Sequence, residues 1–390
     1  MISKPQPKQL LLSEIFPPIH GGSGRWFYEV YRRLDPGNFL MVVQESSQDT
    51  HEIDSHYPHP ILRENLHVDK RILSNWTSIR RYQKISGRLR NIVRQHHVSA
   101  IHAGRPLHEG LVARWMNIRY GIPYVCFIHG EDINVAMTSR ELRILTGSVL
   151  ANSRRLIANS SYTKGLLMND WKVHESKIEM IHPGVDTSYF VPPTQELDRP
   201  TTWQGKFVIL TVGRLQQRKG HDMVLRAIAM LKTTFPELLY VIAGQGEEHD
   251  RLTQLTHELG VADITEFVGA IDDESLRSLY RNCDLFVLAN RSIGNDVEGF
   301  GMVLVEAQSC GKPVIAGKSG GTSDTMDIGE SGFVIDCTSP QLLAESIRVL
   351  IENPEQRKHM GFQARKHTMD NFDWDTLANK AESLFTCLVS

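Results

Sequence analysis

The apolar run Leu285-Phe-Val-Leu-Ala289 leads through a loop containing Gly299 and Gly301 into a helix-like stretch, and a second apolar run closes at Gly311-Lys-Pro-Val-Ile-Ala316. Such a strand, glycine loop, helix, strand unit is the building block of a parallel sheet. The step recurs along the chain. Gln9-Leu-Leu-Leu12 precedes His20-Gly-Gly-Ser-Gly-Arg25 and the amphipathic Trp26–Tyr31, and Lys206–Val212 precedes Gly213–Gly220 and a helix from about His221. Strand-like runs at 99–102, 124–128 and 155–158 alternate with helical patterns near 107–119, 139–151 and 161–169. Alternation of this kind implies an α/β chain with doubly wound sheets, and 390 residues suit two such domains. Periodicity lapses and prolines cluster around 190–200, so the expected division is 1–195 and 201–370, with 371–390 forming a last helix.

In doubly wound sheets ligands lie at the carboxyl ends of the strands, and the loops there carry the chemistry. Gly299 and Gly301 open a helix whose first amides can hold an anion, while Glu298 and Glu306, eight positions apart, can accept hydrogen bonds from hydroxyls. Phosphate plus hydroxyls points to a nucleotide sugar. An ordinary α/β turn with one surface glutamate and one glutamate at the helix N-terminus, favoured there by the helix dipole, fits the same residues, so other loops must decide. Arg214, Arg218 and Lys219 crowd one strand-end loop, where cations can clamp a diphosphate. Amides at Gly22 to Gly24 could face a diphosphate as well, but the spacing is not G-x-G-x-x-G, which counts against a nicotinamide enzyme. His129 follows the strand 124–128 directly, in His-Gly-Glu-Asp132, and has no second ligand at metal-site spacing. Nor is an Asp-x-Asp pair expected anywhere in the chain to carry a divalent ion, so neither a metal nor a cofactor is expected.

Charge is divided unevenly. Residues 1–200 hold 25 Lys and Arg against 19 Asp and Glu, and the remainder 18 against 26. Eight of the basic residues fall between Lys70 and Arg94 with no acidic one, on a pattern where Trp76, Ile79, Tyr82, Ile85 and Leu89 share a face. A basic amphipathic helix of this kind suits an anionic membrane surface, or a solvated face of the domain. Nucleic acid is not expected, because no aromatic stacking platform accompanies the charge. Five scattered cysteines and an N-terminus without an apolar core lead to the expectation of a cytoplasmic protein, peripheral at most on the inner face of the membrane.

Eight motifs in order resemble the retaining nucleotide-sugar glycosyltransferases of family four. They are Gly21-Gly22, His129-Gly-Glu-Asp132, Ala158-Asn-Ser-Ser161, His182-Pro-Gly-Val-Asp186, Gly213-Arg214, Lys219-Gly220, the two glutamates and Gly320-Gly321. Within the family, Asp296-Val-Glu-Gly-Phe-Gly301 and the segment from Val305 to Gly317 are most similar to the bacterial phosphatidylinositol monomannoside mannosyltransferases. The resemblance implies a GT-B fold, two Rossmann-like domains with the donor site in the cleft between them, and an acceptor site on the N-terminal domain. It implies that His129, Arg214, Lys219 and Glu298 are catalytic. Gly21, Gly22, Gly213, Gly244, Val268, Gly269, Gly299, Phe300, Gly301, Met302, Val303, Glu306, Gly320 and Gly321 are then substrate-binding. In this reading the donor is GDP-mannose and the acceptor a hydroxyl of a lipid-linked or soluble glycan. A UDP-sugar-dependent transferase and a nucleotide-sugar 2-epimerase of the same architecture are the alternatives. Ser323 and Asp324 stand where the family more often has Pro-Glu, which bears on the sugar. Arg218→Ala is expected to be nearly silent, because the neighbours of Arg218 carry the contact.

Overall fold

The computed structural model describes residues 8–19, 21–68, 76–193 and 199–389. It divides into two compact units, one of residues 1–183 with 374–390 and one of residues 184–373. The first break therefore falls earlier in the chain than the proline cluster. Residues 184–193 group with the second unit because Arg365 donates to the carbonyls of Thr187, Phe190 and Ser309, and the Val185 N–H donates to the Phe372 carbonyl.

The first unit contains seven strands: β1 (Gln9–Ser13), β2 (Phe39–Gln44), β3 (Ile61–Glu64), β4 (Ala100–Ala103), β5 (Tyr124–Ile128), β6 (Arg155–Ala158) and β7 (Ile178–Met180). All pair in parallel, in the order β3-β2-β1-β4-β5-β6-β7. The second unit holds β8 (Phe207–Val212), β9 (Leu238–Ala243), β10 (Thr265–Gly269), β11 (Leu285–Leu288), β12 (Val314–Gly317) and β13 (Gly332–Ile335), in the parallel order β10-β9-β8-β11-β12-β13. Each order reverses direction once, between β1 and β4 and between β8 and β11. A crevice opens at the carboxyl ends of the strands at such a reversal, and this fixes where a site can form.

Both faces of the second sheet are covered, which is why its strands read as unbroken apolar runs. Ile209, Ile242 and Val287 pack with the helices His221–Leu231 and Pro340–Glu352, while Val208, Val241 and Phe286 pack with the helix Met302–Ser309. In the first unit Leu10, Leu40, Ile101 and Cys126 face a core that includes Ile85, Leu89 and Val93 of the helix Trp76–Gln95. Of the basic stretch expected over 70–94, residues 70–75 lie outside the described residues, as do the side chains of Trp76 and Ile79. The last helix, Trp374–Val389, belongs to the first unit: Phe385 stacks on Tyr31 and packs against His102, and Asp375 pairs with Arg33.

His102, fully buried on β4, accepts the Tyr31 hydroxyl at Nδ1 (2.6 Å) and donates from Nε2 to the Gln9 amide oxygen (2.8 Å). Both ring nitrogens are thus used by the neutral ring, and burial lowers its pKa to about 3. The unfolded chain binds this proton at about pH 6.5, so stability contributed by the neutral ring is complete above that pH and is lost as the pH falls from about 6.5 towards 3. The first unit should lose about 1.4 kcal/mol per pH unit from this residue across that interval. In denaturant titrations, His102→Gln should flatten the pH dependence by about one proton; an unchanged slope would show that His102 is not held neutral.

Candidate functional site

At the reversal point of the second sheet, the loop after β8 meets the loop after β11. Residues 217–219 form a single 3-10 turn, and this carries Arg218 and Lys219 inward while Arg214 stays exposed. Glu298, only 8% exposed, receives both cations on one oxygen: Arg218 Nη1 lies 2.8 Å and Lys219 Nζ 2.5 Å from its Oε2. Arg218 Nε also reaches Asp296 Oδ1 at 3.0 Å, and the Arg218 carbonyl accepts the Arg291 N–H. Arg291 in turn grips Asp222 with two bonds of 2.9 Å. Burial alone would raise the Glu298 carboxyl, but Lys219 and Arg218 outweigh it and hold the group below the usual carboxylate range. Arg218 thus makes the contact itself, where its neighbours were expected to carry it. It is buried and forms half of the counter-charge of Glu298, whereas none of the described residues pairs with the guanidinium of Arg214.

The glycines marked as substrate-binding serve the loop framework first. Gly320 has φ +54°, and a Cβ there would lie 1.9 Å from the Glu298 carbonyl oxygen. The Gly321 N–H donates to that same oxygen, and the Glu298 N–H to Ser319 Oγ, so the loop after β12 fixes the backbone of Glu298. The Gly213 and Gly244 amides are likewise taken by the Ala243 and Gly269 carbonyls. Phe300 is core, packed edge-on against Phe372. Glu306 is buried and accepts the Tyr280 hydroxyl at 2.9 Å. Gly299, Met302 and Val303, at or beside the start of the helix that Gly301 opens, stay partly exposed, as do Val268 and Gly269 at the end of β10.

In the first unit His129 directly follows β5. Its Nε2 donates to the Gly104 carbonyl at 2.9 Å, and its ring lies edge-on to Trp26 and Phe27. Burial lowers the ring's pKa to about 4, so it is neutral near pH 7 with Nδ1 left as an acceptor. The flanking motifs position it. Asn159 donates to the His129 carbonyl, and the Asp132 carboxylate accepts the His129 and Ile133 amides while burial pushes that carboxyl up to about 6. Gly21 and Gly22, both exposed, begin the helix Gly22–Tyr31. Sequence reasoning missed a polar cluster at the β1/β4 reversal. Arg105 bridges Glu14 (2.6 Å) and Glu109 (3.3 Å), His67 pairs with Glu14, and Tyr82 with His108. Three charged residues at the ends of two neighbouring strands were the available signal.

Among the described residues, no group of three His, Cys, Asp or Glu side chains could hold a metal ion. The expectation of a chain without an Asp-x-Asp pair is wrong: Asp373-Trp-Asp375 is one, outside the strand-end loops, with Asp373 accepting the Thr187 hydroxyl and Asp375 paired with Arg33.

Two parallel sheets, each reversing its strand order once, make an architecture of two Rossmann-like domains, and comparison with known proteins gives its class. Residues 20–189 match the family Glycosyltransferase Family 4 and residues 194–367 match Glycosyl transferases group 1. The GDP-mannose-dependent alpha-(1-6)-phosphatidylinositol monomannoside mannosyltransferase of Mycolicibacterium smegmatis is 26% identical over 97% of this chain and 98% of that protein. The D-inositol 3-phosphate glycosyltransferase of Salinispora arenicola is 30% identical over 72% of this chain and 66% of its own length. Among solved structures, Anabaena HepE in complex with UDP shares the fold with a TM-score of 0.79 at 20% identity, covering 97% of this chain and all of that one. The chain belongs to the GT-B glycosyltransferases of family four, and it is a hexosyltransferase.

Removing Glu298 strands two buried cations, a change that typically costs about 3 to 5 kcal/mol. Glu298→Ala should therefore lower the unfolding free energy of the second unit by roughly that amount, in addition to any effect on turnover. A thermal or denaturant midpoint equal to that of the wild type would mean that the three charges do not form this cluster.

Proposed function

We propose that the protein transfers mannose from GDP-mannose to a hydroxyl of a lipid-linked or soluble glycan acceptor, with retention of anomeric configuration and without a metal ion. The observation that carries the donor half of this reading is the burial of Lys219 beside Glu298 at the sheet reversal, where a phosphate-bearing ligand is expected. As the glycosidic bond breaks, negative charge grows on the terminal phosphate of the leaving nucleotide, so preplaced cations and amides stabilise the transition state more than the bound donor. Exposed Arg214, Lys219 and the first amides of the helix Met302–Ser309 are the groups assigned to that charge. Glu298 and the Nδ1 acceptor of neutral His129 take hydroxyls of the sugar. The choice of mannose and GDP follows the name of the mycobacterial relative, which aligns over nearly the whole chain.

Peripheral attachment to the inner face of the membrane is part of the same proposal. None of the described helices is long and apolar enough to cross a bilayer. The helix Trp76–Gln95 buries Ile85, Leu89 and Val93 and exposes Arg80, Lys84, Arg90 and Arg94. Arg88 is paired with Glu64, Arg81 with Asn65, and Arg90 lies over the Tyr120 ring, so among the described residues Arg80, Lys84 and Arg94 are the charges left to meet anionic headgroups.

Turnover assays and vesicle sedimentation test the reading. Incubation with a panel of GDP- and UDP-sugars, read by nucleotide release and product mass, should select GDP-mannose. Activity should persist in EDTA, and Arg214→Ala and Lys219→Ala should each lower turnover ~10²- to 10³-fold. Turnover of a UDP-sugar alone, release of a free 2-epimer, or activity that requires added manganese would refute it. For the membrane, each of Arg80, Lys84 and Arg94 is worth about 1 kcal/mol at low salt, so their reversal to Glu should release the protein from anionic vesicles. Equal sedimentation with neutral and anionic vesicles would favour a merely solvated face.

A further inference from the structure

Glu298 faces a difficulty in the ground state that the geometry of Arg218 resolves. Its carboxylate is buried and two cations share its Oε2. The reading of Lys219 as a phosphate ligand requires its ammonium to leave that oxygen when the nucleotide binds. With Lys219 as sole partner, its departure would leave an unpaired buried carboxylate, which is among the most unfavourable arrangements in a protein interior. We infer that Arg218 is a positioning residue: it stays on Glu298 as the permanent counter-ion, so that Lys219 is free to turn to the diphosphate while Glu298 remains charged and in place.

Three observations support the assignment. First, Arg218 is held at three points, by Glu298, by Asp296 through Nε at 3.0 Å, and by its own carbonyl, which accepts the Arg291 N–H at 2.8 Å. Arg291 is itself locked by its two bonds to Asp222. Lys219, by contrast, makes its one side-chain bond among the described residues to Glu298, through a flexible stem that ends in a point charge, a form suited to changing partners. Second, the arrangement is charge-balanced in both states. Asp296 and Glu298 face Arg218 and Lys219 before the donor arrives, and Glu298 keeps Arg218 afterwards while Asp296, half exposed, is solvated. Third, the rest of the surroundings cannot substitute for Arg218. The described charges acting on Glu298 are Lys219 and Arg218, both from the loop after β8. From the loop after β12 it meets the Ser319 hydroxyl and the Gly321 amide at its backbone, and neither reaches its carboxylate.

The inference rests on the proposed role of Lys219, and proton linkage separates the two. In wild-type protein, GDP binding followed by calorimetry in buffers of different ionisation enthalpy should show only the proton exchange of the nucleotide's own phosphate. In Arg218→Gln, departure of Lys219 leaves Glu298 without a counter-ion, so the carboxylate should take up about one further proton per GDP bound and the affinity should fall about tenfold per pH unit as the pH rises. Arg218→Lys should restore wild-type proton exchange. Excess proton uptake already in the wild type, or none in Arg218→Gln, would overturn the assignment. Loss of GDP binding in Arg218→Gln that matches Lys219→Ala at every pH would overturn it too, because Arg218 would then be a phosphate ligand. If Lys219→Ala binds GDP as the wild type does, the phosphate role of Lys219 falls, and the inference with it.

Discussion

A carboxylate buried between two cations is the constraint on which the second unit's strand-end loops depend. Glu298 is held below the usual carboxylate range by Lys219 and Arg218 against the opposing effect of burial. That balance fixes the loop after β8 to the loop after β11 where the strand order turns. Around it the chain spends side chains on holding the cluster in register: Asp296 and the Arg291–Asp222 pair brace Arg218, and Ser319 with Gly321 brace the backbone of Glu298. Buried ion pairs of this type add little net stability over apolar packing, so the cluster is better understood through what its charges do than through the stability they supply.

The first unit solves the corresponding problem with a neutral group. His129 has one nitrogen committed to the Gly104 carbonyl, its ring set against Trp26 and Phe27, and its backbone tied to Asp132 and Asn159. Burial keeps the imidazole uncharged near pH 7. The family motifs Ala158–Ser161 and His129–Asp132 therefore act as one device: Ser160 caps the helix that begins at Ser161, and Asn159 reaches back to the His129 carbonyl.

Much of this was legible in the sequence because buried parallel strands are continuous apolar runs. Tyr124–Ile128 and Arg155–Ala158 can be read off directly, and Phe207–Val212 to within a residue. β3 and β7 carry no such signal, being four and three residues long and containing Arg63, Glu64 and Glu179. The loops were legible as glycine positions, yet the reason for the glycines was not. Gly320 is required by the approach of the Glu298 carbonyl, a contact across 22 residues of chain that no local pattern encodes. For the same reason spacing alone could not separate Arg214, Arg218 and Lys219, and the family resemblance, which set Arg218 apart, did not foresee its bond to Glu298. Three cations in one loop look equivalent until a 3-10 turn carries the last two inward and leaves the first in solvent.

The account turns on which cation moves. A structure of the protein with GDP bound tests this most directly. It should show Lys219 Nζ about 3 Å from a phosphate oxygen and no longer on Glu298, with Arg218 still bonded to Glu298 Oε2. Phosphates held elsewhere while Lys219 remains on Glu298, or Arg218 drawn to the nucleotide, would contradict it.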